Sequence, residues 1–506
     1  MATSTAVGTE RISRIVGYKL KKGDFSTSSP NLPQRVAIFA EANNANQGTL
    51  DTDGREITSA AQAGTLYGFG SPIYHLMRIL RPVTGGGIGG IPTIVYPQAE
   101  ASGATAKILE IAATGTATGN GTHFLKVAGR DAVDGEVYAL NISKDDTTDD
   151  ISQKIEDAIN NVIGSPFTAA STDYEATLTS KWKGLTADGL SVTVDTGDND
   201  LGITYAITET SAGAGTPSIS GALSQIGNDW VTIVVNSYGL ETTTMDALEA
   251  FNGIPDPETP TGRYTGIIMK PFIALSGSVL DNPSTITDTR KDDVTIAVCP
   301  APLSAGLAME AAANMCLLFA RKEQDTPNLD VGGSSYVDMP TPTSIGSMAS
   351  YDNRDSFVKK GCSTVDLVSG RYQIQDFVTT YHPVGEVVPQ YRYCRNLMLD
   401  FNVRYGYYLL ELINVVDHTI ANDGDTVTAQ KVVKPKIWKS IVSAYATDLG
   451  ARALIADVPF MQDSIQVQIS TTNPDRFETI FSYKRTGIAR ISSTDAEAGF
   501  NFGTNS

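Results

Sequence analysis

Trp230-Val231-Thr232-Ile233-Val234-Val235 is an apolar run broken by a single threonine. A strand with one wet face alternates polar and apolar residues, so a continuous run marks a strand buried on both faces. The chain beyond it repeats the theme. Residues 244–251 read as a short helix, Tyr264–Met269 as a second strand, Val294–Val298 as a third, and about Ser304–Arg321 as a long helix. Buried strands alternating with helices predict a parallel or mixed sheet covered on both sides. Far upstream, Arg35-Val36-Ala37-Ile38-Phe39-Ala40 has the same texture and can join that sheet. A helix follows it: Ser71 is placed to cap, Pro72 suits the first helical position, and Ile73, Leu76, Met77 and Leu80 fall at helical spacing.

Between these stretches the composition changes. From Pro97 to Ala222 Thr, Ala, Gly and Ser dominate, and short alternating runs such as Phe124–Val127, Val137–Leu140 and Ala176–Thr179 are separated by Gly and Asp turns. That reads as a small β-rich domain. One helix stands out in it, with Thr148 as cap, Asp149 and Asp150 complementing the helix dipole, and Ile151, Ile155, Ile159 and Ile163 as its apolar face. Residues 97–222 hold 18 acidic and 7 basic side chains, a net of −11 out of −18 for the whole chain. Unpaired charge of that density belongs on an exposed face.

The last third holds an apolar helix around Asn396–Val416 and a second at Pro435–Ala451. Ile465, Val467 and Ile469 then alternate with polar residues, Asn473-Pro474-Asp475-Arg476 makes a turn, and Phe477, Thr479, Phe481 and Tyr483 fall on one face of a partner strand. A lone hairpin is marginal in water, so this one needs further strands or a helix beneath it. At the other end, residues 1–30 are polar apart from the strand-like Ile12–Tyr18, and are either a tail or an arm that orders on a neighbour. The expected organisation is α/β and α+β multidomain. An arm or tail at 1–30 precedes a discontinuous α/β core at 31–96 and 223–370, interrupted by the β-rich insertion at 97–222. A C-terminal α+β domain spans 371–490, and a tail 491–506.

Composition narrows the function. The acidic balance argues against nucleic acid and anionic membrane as partners, since both require a basic footprint. Cys299, Cys316, Cys362 and Cys394 are widely spaced, the pattern of buried thiols in a reducing compartment. No signal sequence is read at the start, and no apolar run approaches the roughly 20 residues of a membrane span. Gly85-Gly86-Gly87-Ile88-Gly89-Gly90 spells a dinucleotide fingerprint, but a helix precedes it and a strand follows, the reverse of what phosphate binding needs, so it reads as a turn. His75, His123, His382 and His418 are scattered, and no metal, cofactor or catalytic constellation is legible. A cluster of Lys431, Lys434, Lys436 and Lys439 at the start of the Pro435 helix opposes the dipole. It reads as a solvated face or as a docking surface for an acidic partner.

Several segments, in order, resemble the contractile tail sheath proteins of Mu-like phages. They are Thr65-Leu66-Tyr67-Gly68-Phe69-Gly70-Ser71-Pro72, Gly129-Arg130, the helix Ile151–Ile163, Leu178–Gly184 and Ser211–Pro217. Near the C-terminus they are Val378-Thr379-Thr380-Tyr381, Val432–Tyr445 and Asn473–Arg476, so the similarity runs from about residue 33 to 491. Tyr391-Arg392-Tyr393-Cys394-Arg395 departs from it, standing where the family pattern is acidic.

The resemblance implies a structural subunit, not an enzyme, that forms hexameric rings stacked helically around an inner tail tube. It contracts on a signal from the baseplate, within a virion tail assembled in a host bacterial cytoplasm. Baseplate and tail terminator proteins are then partners, with no nucleic acid, no membrane insertion and no cofactor. A tailocin or tail tube component is the alternative within the same device. The resemblance also implies strand exchange between copies, which selects the arm reading for the N-terminus and completes the C-terminal hairpin with strands from neighbouring chains. The candidate exchange residues are Ile12, Ile15, Val16, Tyr18, Ile465, Val467, Ile469, Phe477, Phe481, Tyr483, Ile488 and Ile491, and the candidate tube-facing residues are Lys434, Lys436 and Lys439.

Overall fold

The computed structural model describes residues 30–342, 346, 348–386 and 389–500. The chain divides into two compact units, Asn31–Leu409 together with the residues from Lys484 onward, and a second unit that includes Leu410–Tyr483.

The first unit is organised by a six-stranded sheet. Its strands are β1 (Val36–Glu41), β2 (Arg55–Glu56), β3 (Thr93–Gln98), β4 (Ile233–Asn236), β5 (Ile273–Ser278) and β6 (Ile296–Pro300), in the spatial order β6-β5-β4-β1-β3-β2. All pairs are parallel except β2 with β3. β1 lies between β3 and β4: Ile38 faces Val95 on one side and Val235 on the other. All six β1 residues are buried, because the sheet is covered twice. Val36, Ile38, Ile233, Val235, Ile273 and Leu275 pack on the face that carries α1 (Pro72–Leu80) and α2 (Ala308–Asp325). Ala37, Phe39, Val234 and Ala274 pack on the opposite face, with Leu223 and Leu248 from the helices at Ser220–Ile226 and Thr242–Asn252.

Local chemistry fixes α1 as expected. The Ser71 hydroxyl accepts from the Tyr74 backbone N–H at 3.1 Å, and Pro72 occupies the first turn. Tyr264–Met269, read as a strand, is instead a 3-10 turn at Gly262–Tyr264 and further turns that leave Ile267 fully exposed. The strand is β5, the next segment, which looks unlike one because Ala274, Ser276, Gly277 and Ser278 are small. A Cβ built on Gly277 would lie 1.7 Å from the Ala308 carbonyl oxygen, so α2 packs on the strand backbone itself.

Between β3 and β4 the chain builds two larger antiparallel sheets and a short two-stranded one at Ala132–Val133 and Glu136–Val137. One of the larger sheets has the order Thr204–Ser211, Ala106–Thr114, Glu175–Lys183, Phe167–Thr172, and the other Val192–Asp195, Gly121–Val127, Ala139–Ile142. The helix here spans Thr148–Asn160, and its cap is Thr147, not Thr148. Thr147 and Asp150 exchange side-chain and backbone hydrogen bonds in a capping box. Ile151, Ile155 and Ile159 are buried, whereas Ile163 lies past the helix end and is exposed.

Polar ties fasten this segment to the six-stranded sheet and its helices, among them Arg78 of α1 with Asp134 at 2.8 Å. Arg130 donates to Glu310 of α2 at 2.8 Å and to Asp338 at 3.1 Å, with Glu310 only 1% exposed. At the C-terminal end of β1, both carboxyl oxygens of the fully buried Glu41 lie 3.3 Å from the Thr186 hydroxyl, which also accepts from the Trp182 indole at 2.9 Å. Burial pushes the Glu41 carboxyl up to about 8, so it is neutral at pH 7.

Because that value lies above the ordinary one, Glu41 contributes stability below about pH 4.5 that is lost as pH rises to about 8. Glu41→Gln should therefore match the wild type in thermal midpoint near pH 5 and exceed it by several degrees near pH 9. Parallel pH profiles of the two proteins would contradict this assignment.

Candidate assembly surface

Within Leu410–Tyr483 the organising element is α4 (Pro435–Ala451), so numbered because α3 (Cys394–Asn414) precedes it. Trp438, Val442, Tyr445, Ala446 and Leu449 recur at three- and four-residue spacing, and all are buried. An antiparallel hairpin of Gln466–Ile469 and Phe477–Ile480 packs on this stripe, with Val467 opposite Thr479 and Ile469 opposite Phe477. The Trp438 indole donates to the Thr479 hydroxyl at 2.9 Å, which joins helix to hairpin with one directed bond. Helix α5 (Val458–Ser464) closes the base: Gln462 donates to the Ser443 carbonyl at 3.0 Å, and Ser464 exchanges hydrogen bonds with the Ser482 backbone at 2.9 and 3.1 Å. The helix beneath the hairpin is thus supplied by the same chain, and among the described residues the hairpin sheet has two strands.

The candidate exchange residues fall into four groups. Ile465 is fully buried, and Val467, Ile469 and Phe477 are half-buried beside α4. Phe481 and Tyr483 lie past the end of the strand, with ring centroids 6.4 Å apart. Ile488 and Ile491 belong to the other compact unit, the first half-buried and the second 85% exposed. Ile12, Ile15, Val16 and Tyr18 lie outside the described residues.

The lysine cluster is partly compensated. The Asp423 carboxylate accepts from the Lys436 backbone N–H at 2.9 Å, placing an anion at the helix start where the dipole favours one. The Lys434 ammonium donates to the Asp425 carbonyl. Lys436 and Lys439 are exposed, with the half-exposed Ile437 between them, so this face of α4 is a basic patch around one apolar side chain. Sequence reading missed Asp423 as the compensating group. Its signal was available, an acidic pair at Asp423 and Asp425 a turn before the lysines.

Elsewhere the chemistry is quiet. A cavity of about 320 Å³ opens at the C-terminal ends of β4 and β5, where sheets of this kind often bind ligands, but its wall is mostly apolar. Its carboxylate, Glu241, caps the following helix by accepting from the Thr244 N–H at 2.7 Å. All four cysteines are buried and free, and burial raises each thiol. Among the described residues no group of His, Cys, Asp and Glu is placed to hold a metal ion, and no helix is long and apolar enough to cross a membrane.

No family model matches the chain. A curated protein does: the Mu-like prophage FluMu tail sheath protein of Haemophilus influenzae is 24% identical over 438 residues, 84% of each chain. Along most of its length the chain is therefore similar to a tail sheath protein of a Mu-like prophage. Among solved structures, the sheath tail protein of Desulfitobacterium hafniense superposes with a TM-score of 0.46 at 10% identity, covering 93% of this chain and all of that one. The anti-feeding prophage sheath in its contracted state gives 0.39 at 9% identity, covering 98% of this chain and all of the other.

Trp438→Ala removes a fully buried ring and its bond to Thr479, and should cost about 3–5 kcal/mol. Thr479→Val removes the hydroxyl alone and should cost about 1 kcal/mol. Hydrogen exchange over residues 466–480 should rise sharply in the first variant and little in the second.

Proposed function

We propose that this chain is the structural subunit of a contractile tail sheath. It polymerises as stacked hexameric rings around an inner tube and contracts to drive the tube through a cell envelope. The observation that carries the reading is the relationship to a tail sheath protein over 84% of both chains, which leaves little room for a different architecture. The inner tube, baseplate and tail terminator proteins are its partners, and it resides in a virion tail assembled in the host bacterial cytoplasm.

In this reading the arms at the chain ends pair with the C-terminal domains of neighbouring copies, using Ile12, Ile15, Val16 and Tyr18 on one side and Ile465–Tyr483 on the other. Main-chain pairing of that kind gives affinity while leaving the globular bodies free to rotate and slide. A hairpin that already rests on its own helix suits the role, because the docking edge is held in shape before a partner strand arrives. The basic face of Lys434, Lys436 and Lys439 meets the tube before contraction, and the acidic segment at 97–222 points outward, where its charge is solvated.

Negative-stain images of the purified protein should show cylinders with six-fold end views, and dispersed monomers at every concentration would overturn the proposal. Deleting residues 1–20 should give soluble, folded subunits that no longer polymerise. Replacing Lys434, Lys436 and Lys439 together by Glu should leave the thermal midpoint nearly unchanged and abolish assembly on the tube. Unaltered assembly by that variant would remove the lysines from the interface.

A further inference from the structure

Residues 484–490 are fastened to the larger compact unit by three successive contacts, each from a basic side chain. Arg485 meets the Asp400 carboxylate of α3 in a two-pronged pair at 2.8 and 2.5 Å, its guanidinium 5.4 Å from the centre of the Tyr391 ring. Arg395, 1% exposed on the same helix, donates to the Thr486 carbonyl at 2.5 Å and to its hydroxyl at 2.7 Å, and to the Asn328 carbonyl at 3.0 Å. Arg490 pairs with Asp330 and lies 3.6 Å over the face of Tyr393. From Ile491 to Phe500 every residue is exposed and without regular secondary structure. The change at Arg490 is therefore abrupt.

We propose that residues 484–490 are an anchor that fixes where the C-terminal tail leaves its own body. A strand lent to a second copy then begins after Arg490, and Ile488 stays with the donor. The lending itself rests on the sheath reading above, whereas the anchor does not. Two-pronged arginine–carboxylate pairs and a guanidinium over an aromatic face are directional and strengthen as water is excluded. A pull on the exposed tail would reach α3 through Arg485 and the 328–330 loop through Arg395 and Arg490, so the anchor passes force from an arm into the body.

Limited trypsin digestion of dilute, dispersed full-length protein tests this without requiring assembly. Cleavage after Arg476, in the exposed hairpin turn, provides an internal clock. In the wild type, cleavage after Arg485 and Arg490 should lag behind Arg476 by about tenfold or more, since it requires the anchor to open. Asp400→Asn combined with Tyr393→Leu should erase the lag with little change in thermal midpoint. Tyr393→Leu alone, which keeps both ion pairs, should release Arg490 before Arg485 and serves if the double variant does not fold. Wild-type cleavage after Arg485 and Arg490 as fast as after Arg476 would overturn the anchor. Protection without cylinder formation would uphold it and count against the sheath reading instead.

Discussion

The pairing of β1 with two partners from distant parts of the chain is the constraint on which the larger unit depends. Val36–Glu41 has no exposed edge and no exposed face: β3 and β4 flank it, and helices cover it above and below. It cannot fold by itself, because every hydrogen bond and every apolar contact it makes comes from elsewhere. Once it is in place, both halves of the sheet are held, and the 97–222 segment becomes a loop between two fixed points. Closing a loop of that length costs only slightly more than closing a short one, so a folded domain can occupy it without loosening the sheet.

Two of the polar contacts that hold that segment to the sheet and its helices differ in kind. In one, the buried Glu310 carboxylate faces the Arg130 guanidinium, which also reaches Asp338. Such a pair adds directionality more than stability, since desolvation offsets most of its attraction. Glu41 solves the same problem differently, by keeping its proton and using neutral hydrogen bonds. The acidic side chains that give the segment its net charge lie largely on its exposed surface, where water and salt screen them.

The smaller unit shows how a marginal motif is held in shape by its own chain. A two-stranded hairpin is marginal without something to pack on, and α4 supplies it. The Trp438 ring and the serine contacts at the base hold the hairpin against α4, on which Lys436 and Lys439 are exposed.

Much was legible in the sequence wherever the signal was local. The apolar runs at Val36 and Ile233, the Ser71-Pro72 cap, the helix at Pro435–Ala451 and the hairpin turn at Asn473–Arg476 are each written in adjacent residues, because burial on two faces, capping and turn formation are short-range demands. Thr147 displaced Thr148 as cap because only its spacing to Asp150 closes the capping box. β5 was missed because its small residues answer the approach of α2, a partner more than thirty residues later in the chain. For the same reason the contacts of Arg485 and Arg490, the neutrality of Glu41 and the helix under the hairpin were decided by the tertiary structure alone: each depends on which distant groups share a low-dielectric space, and separation along the chain carries no record of that.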